Sequence, residues 1–167
     1  MKARKITVGA ILSAVGTVLL YLSGTLGIGR LGLCAAAGLM PYIAAQSCGI
    51  YSGCLCYACV SALGFVFVPN KLYAFVFAFC FGMYPLLKIF FDMITSRLYQ
   101  WTAKIIAANL YFAVIFCFFG NLFFYHVSFG TRFIMLAAAW NAAFIIYDIG
   151  ISQAMRVYKK RIERNIK

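Results

Sequence analysis

Apolar residues run almost unbroken along this chain, and its polar residues collect in short clusters between the runs. Nearly every stretch long enough to be an element is oily on all sides, the pattern of a helix with no face turned to water. A hydrocarbon core of ~30 Å takes roughly 17 to 25 helical residues. Cutting the chain wherever charge, Pro or Gly interrupts a run gives six segments, 6–22, 31–46, 49–68, 72–91, 103–124 and 132–151, followed by a basic tail, 152–167. The second segment is short and carries Pro41, so it tilts little, thins the bilayer locally, or continues past Ser47. The short loops imply three successive helical hairpins. The fold class predicted is therefore all-α, a compact bundle of six transmembrane helices forming a single membrane domain over residues 1–167.

Composition agrees, with 65% apolar and 11% charged residues and a mean hydropathy of +0.94. A soluble domain has ~25% charged residues, which excludes a soluble enzyme. The net charge of +12 matters less for its size than for its placement. One set of loops and ends holds Lys2, Arg4, Lys5, Lys88, Arg97, Lys104, Arg156, Lys159, Lys160, Arg161, Arg164 and Lys167, whereas the alternate set holds Arg30, Lys71 and Arg132. Positive loops stay in the cytoplasm, so both termini are expected there, in a multi-pass protein of the cell membrane with an even number of spans. The same placement argues for membrane orientation and against nucleic-acid binding. The first segment begins like a signal peptide, but no small-x-small cleavage site follows at residues 23–29 and further spans come at once, so it reads as the first helix.

Chemistry is sparse. One His, three carboxylates and no nucleophile or phosphate-loop motif predict no catalytic residue, no cofactor and no enzyme. Cys54, Cys56 and Cys59 fail as a metal cluster, since Cys54 lies about 200° around a helix from Cys56 and no His or carboxylate is near. Cys34, Cys48, Cys80 and Cys117 read with them as small apolar residues that let helices approach. Lys88 and Asp92 stand one turn apart just after Pro85, a spacing at which the pair neutralise each other where the helix kinks. Asp148 is expected to pair with Arg156 or Lys104. Asn109, Asn121 and Asn141 are placed to bond across helices, and Asn141, beside Trp140 at mid-depth, is also a candidate ligand contact.

The outer loops hold Arg30, then Pro69, Asn70 and Lys71, then His126 through Arg132, so a chamber beneath them is roofed by positive charge and favours a carboxylate or phosphate on its ligand. His126 is equally an interfacial belt residue. The run from Ser23 to Gly29 suits a lid or a plain connector. In the first helix, Gly9, Ser13 and Thr17 form one small-residue stripe and Ala10 and Ala14 the next, and such stripes predict tight packing on another helix, internal or foreign.

The basic start Lys2, Ala3, Arg4, Lys5, Ile6, Thr7, the Ala10-x-x-x-Ala14 helix that follows and the six short spans with both ends inside together resemble the substrate-binding S-components of energy-coupling factor transporters. The resemblance implies that Ala10 and Ala14 dock on a membrane T-component driven by two ABC-type ATPases. It also implies that a vitamin or related micronutrient binds under the first, third and fifth loops, which bear Arg30, Lys71 and His126. No Walker motif is present, so any energy comes from partners. A rival expectation is a membrane scaffold, resembling the small rod-shape-determining membrane protein of bacterial cell-envelope complexes. A passive pore has few pore-lining charges to support it.

Overall fold

The computed structural model of the chain describes residues 2–26, 28–93, 95–123 and 131–166, with side chains described at 5–26, 28–93, 95–114 and 134–158. Among the described residues every element is helical and there is no strand. The helices are α1, Lys2–Thr25, α2, Arg30–Cys48, α3, Ile50–Phe67, α4, Lys71–Phe91, α5, Arg97–Phe123, and α6, Thr131–Ile166. Among the described residues, five of them, α1 to α4 and α6, are long and apolar enough to cross a bilayer. The protein is therefore built as a multi-pass membrane protein. α5 contains most of the expected fifth segment within 27 helical residues.

Helix ends differ from the expected cuts in an instructive way. α2 continues past Ser47 to Cys48, and a single residue, Gly49 at φ +101, turns the chain into α3. The second segment is thus long enough to span despite Pro41. α5 starts at Arg97, six residues before the expected position, and α6 runs to Ile166, well beyond 151. Charge ends an oily run, but Lys, Arg and Gln are good helix formers, so it does not end a helix.

The chain divides into two compact units, residues 1–90 and 91–167. In the first, α1, α2 and α3 pack on one another and α4 packs on α2. Its core is Leu20, Cys34, Ala37, Ala44, Cys56, Val60, Val68 and Phe77. Four of these eight are Ala or Cys, consistent with helices that approach closely in lipid, where packing rather than water drives association. Cys34 and Cys56 fill the small-residue role expected of them, while Cys54 and Cys59 face outward. Hydroxyls inside this unit bond back to their own helices. Ser13 Oγ donates to the Gly9 carbonyl at 2.9 Å and Ser23 Oγ to that of Leu20 at 2.7 Å.

The tightest approach joins α2 and α3 at Gly53. A Cβ there would lie 2.5 Å from Ala45 Cβ and 2.9 Å from the Pro41 carbonyl oxygen, and backbone cannot swing aside as a side-chain tip can. Gly53→Leu is expected to cost at least the ~1–3 kcal/mol typical of overpacking, read as a fall in melting temperature in detergent. Gly9, with nothing within 4 Å of its added Cβ, is the control, and Gly9→Leu should melt like the parent protein. Equal melting of the two variants would contradict this approach.

In the second unit α5 and α6 form an antiparallel pair whose register is set by three contacts. Lys104 meets Asp148, Trp140 Nε1 donates to the Ala108 carbonyl at 3.1 Å, and Asn109 and Asn141 exchange reciprocal amide bonds of 3.0 Å. Phe112 and Trp140 pack with ring centroids 5.5 Å apart. Stepping seven residues back from Lys104 reaches Arg97, and seven forward from Asp148 reaches Met155, so the start of α5 is level with Met155. α6 then continues through residues 156–166, about 16 Å at 1.5 Å per residue.

Candidate functional site

At one end of the first unit, helix termini bring the expected cations close to aromatic and carbonyl groups. Arg30 opens α2. Its Nε donates to the Leu26 carbonyl just past the end of α1, its Nη1 to the Tyr73 hydroxyl at 3.2 Å, and its guanidinium lies 5.6 Å from the centre of the Tyr73 ring. Lys71 opens α4, where Asn70 caps the helix by accepting from the Leu72 N–H at 3.1 Å. The Lys71 ammonium donates to the carbonyls of Phe65 and Val66 at 2.6 and 3.2 Å. Both cations thus cap the C-terminal carbonyls of a preceding helix, where the backbone dipole favours positive charge. Below them, Cys34 Sγ lies 3.3 Å from Ser23 Oγ, which makes a small buried polar cluster.

Capping leaves donors over. The Arg30 Nη2 has two N–H groups and the Lys71 ammonium a third, with no protein partner among the described residues. Of the expected ligand set, the fold therefore brings Arg30 and Lys71 to one end of the first unit and adds Tyr73, which the sequence did not single out. His126 lies outside the described residues. Asn141 belongs to the second unit, where its amide bonds Asn109 Oδ1 and the Ala137 carbonyl, so both of its N–H groups are engaged there.

The expected break near Pro85 takes the form of a π-helical turn, Phe77–Gly82, that ends three residues before it. Pro85 has no N–H to return to Phe81, so the ladder must loosen upstream. Tyr57 seals the loosened turn. Its hydroxyl donates to the Ala78 carbonyl at 2.9 Å, and its ring lies so close to Gly82 that a Cβ there would come within 2.8 Å. Lys88 follows in the α-helical remainder and is buried at 1% exposure.

Asp92, one residue past α4, accepts from Gln100 Nε2 at 2.6 Å and from the Lys104 ammonium at 2.8 Å. That ammonium is also 3.4 Å from both Asp148 oxygens and 5.7 Å from the centre of the Trp101 ring. Of the two pairings offered to Asp148 by sequence, Lys104 is the one formed. The Asp92 contact is shorter but partly wet, whereas the Lys104 and Asp148 side chains are each only 4% exposed, so the longer contact carries the buried charge.

Of the expected stripe Gly9, Ser13 and Thr17, only Ser13 is buried, Thr17 is half-buried and an added Cβ at Gly9 meets nothing within 4 Å. Ser13 and Gly16 turn inward, with an added Cβ at Gly16 only 3.0 Å from Val60, whereas Ala10 and Ala14 are exposed together with Thr7. Among the described residues no three His, Cys, Asp or Glu side chains come together as a metal site. Compared with family models, with curated proteins and with solved structures, the chain matches none.

Proposed function

We propose that the chain is the substrate-binding membrane subunit of a micronutrient or vitamin uptake transporter, energised by partner ATPases and not itself an enzyme. The observation that carries this reading is the division of labour on α1. Ser13 and Gly16 are buried inside the first unit, whereas Ala10 and Ala14 are left exposed at the spacing that a foreign membrane helix needs for close approach. The unspent N–H groups of Arg30 and Lys71 support a ligand that bears a carboxylate or phosphate. Counting α5 as a span brings the number to six and keeps both termini on one side. The excess of Lys and Arg there makes that side the cytoplasm of the cell membrane.

In this mechanism the subunit captures its solute from outside, docks through α1 on a membrane T-component, and tips in the bilayer as the two ABC-type ATPases cycle. Purification in mild detergent tests it. The T-component and both ATPases should accompany the protein, and the right micronutrient at a hundred times its Kd should stabilise the fold by about 2.7 kcal/mol, seen as a raised melting temperature. If no ATPase accompanies the protein and no member of a vitamin panel shifts its melting, the transport reading fails.

A further inference from the structure

We propose that the end of the second unit where α5 begins is a binding surface for an anionic phospholipid, whose headgroup phosphate sits at Arg97 and Arg156. The register of the α5–α6 pair makes Arg97 level with Met155, so Arg156 is one residue further along the neighbouring helix. Both arginines are exposed, and neither makes an ion pair among the described residues. Arginine suits the role, since its planar guanidinium donates two parallel N–H bonds to a phosphate.

The charge they carry has no counterpart in this chain. The sequence has three carboxylates. Asp92 and Asp148 are engaged by Lys104, and Glu163 stands in the same helical stretch as Lys159, Lys160, Arg161 and Arg164. The neutralising anion must come from outside the molecule. A second copy of this chain would bring the same excess of positive charge and repel.

Depth selects the lipid over a soluble anion. The oily run of α6 gives way to charge at Arg156, Lys159, Lys160 and Arg161, so Arg156 lies at the edge of the hydrocarbon. On α5, Tyr99 and Trp101 follow Arg97 and are exposed, and aromatic side chains of this kind settle at headgroup level. A basic cluster beside a membrane span attracts anionic headgroups, with a factor of about five in affinity for each cation. An acidic soluble protein or a nucleic acid would satisfy the charge but would have to reach it at the edge of the hydrocarbon, where a lipid headgroup already sits.

The test is native mass spectrometry of the delipidated full chain in neutral detergent, titrated separately with phosphatidylglycerol, phosphatidylcholine and inorganic phosphate. Phosphatidylglycerol should bind in clear preference to phosphatidylcholine, and Arg97→Gln with Arg156→Gln should weaken it by about thirtyfold. The pair Arg97→Lys and Arg156→Lys, which keeps the charge, should retain most of the preference, and both positions are exposed enough for the fold to tolerate either change. Equal binding of the two lipids, or an undiminished preference in the Gln variant, would overturn the proposal. So would inorganic phosphate competing as well as the lipid, which would assign the arginines to a soluble anion.

Discussion

Replacing Ala10 and Ala14 together by Trp is expected to abolish uptake while leaving ligand binding by the isolated subunit unchanged. Both positions are exposed on α1, so two indole rings there displace lipid and not the core of the first unit, which is built from the neighbouring face of that helix through Ser13, Gly16 and Leu20. In a docked complex the same rings would lie between two helix backbones. Overpacking costs ~1–3 kcal/mol for each such side chain, so two of them weaken association by about thirtyfold or more. Uptake in cells supplied with the partner subunits reads the docking step, and ligand binding in detergent reads the fold. Normal uptake by the double variant would remove the main support for a transporter partner on this face. Loss of binding in detergent would mean that the stripe is part of the fold after all.

Lys104→Met is expected to destabilise the protein by about 3 kcal/mol, the lower end of the range for removing one member of a buried ion pair. The change leaves Asp148 without the ammonium that both of its oxygens approach, and that carboxylate is 4% exposed. Asp92 suffers less, because at 36% exposure it keeps access to water. Unfolding in mixed micelles gives the value. The second variant, Lys104→Met with Asp148→Leu, should recover most of the loss, since replacing a whole buried pair by apolar groups is often near neutral. A single variant as stable as the parent protein would show that the pair contributes nothing to the fold.

Much of the architecture is written in hydropathy, because a bilayer rewards unbroken oily runs and little else. The segments 6–22, 31–46, 49–68, 72–91 and 132–151 all lie within helices apolar enough to span, apart from Gly49 and Val68. The two stripes on α1 were equally visible, since i, i+4 spacing places residues on a helix without knowledge of its neighbours. Helix ends were less legible. The starts and ends of α5 and α6 are set by backbone hydrogen bonding, which continues through Gln100 or Lys159 as readily as through Leu. The roles of Arg30 and Lys71 were hidden for a different reason, because capping depends on which carbonyls the preceding helix leaves nearby. The turn at Phe77–Gly82 was displaced upstream of the proline that signals it, as a missing N–H is felt by the residues that would have received it. Nothing in composition separates the first four helices from the last two.

The one-residue joint at Gly49 has a consequence for how the chain is made. With no slack between them, α2 and α3 cannot wait for one another during insertion, so the pair must enter the bilayer as a single folded couple. The Arg30–Cys48 segment, the more polar of the two, is then carried in by the oilier Ile50–Phe67. For the same reason a tag or reporter has no room at this joint.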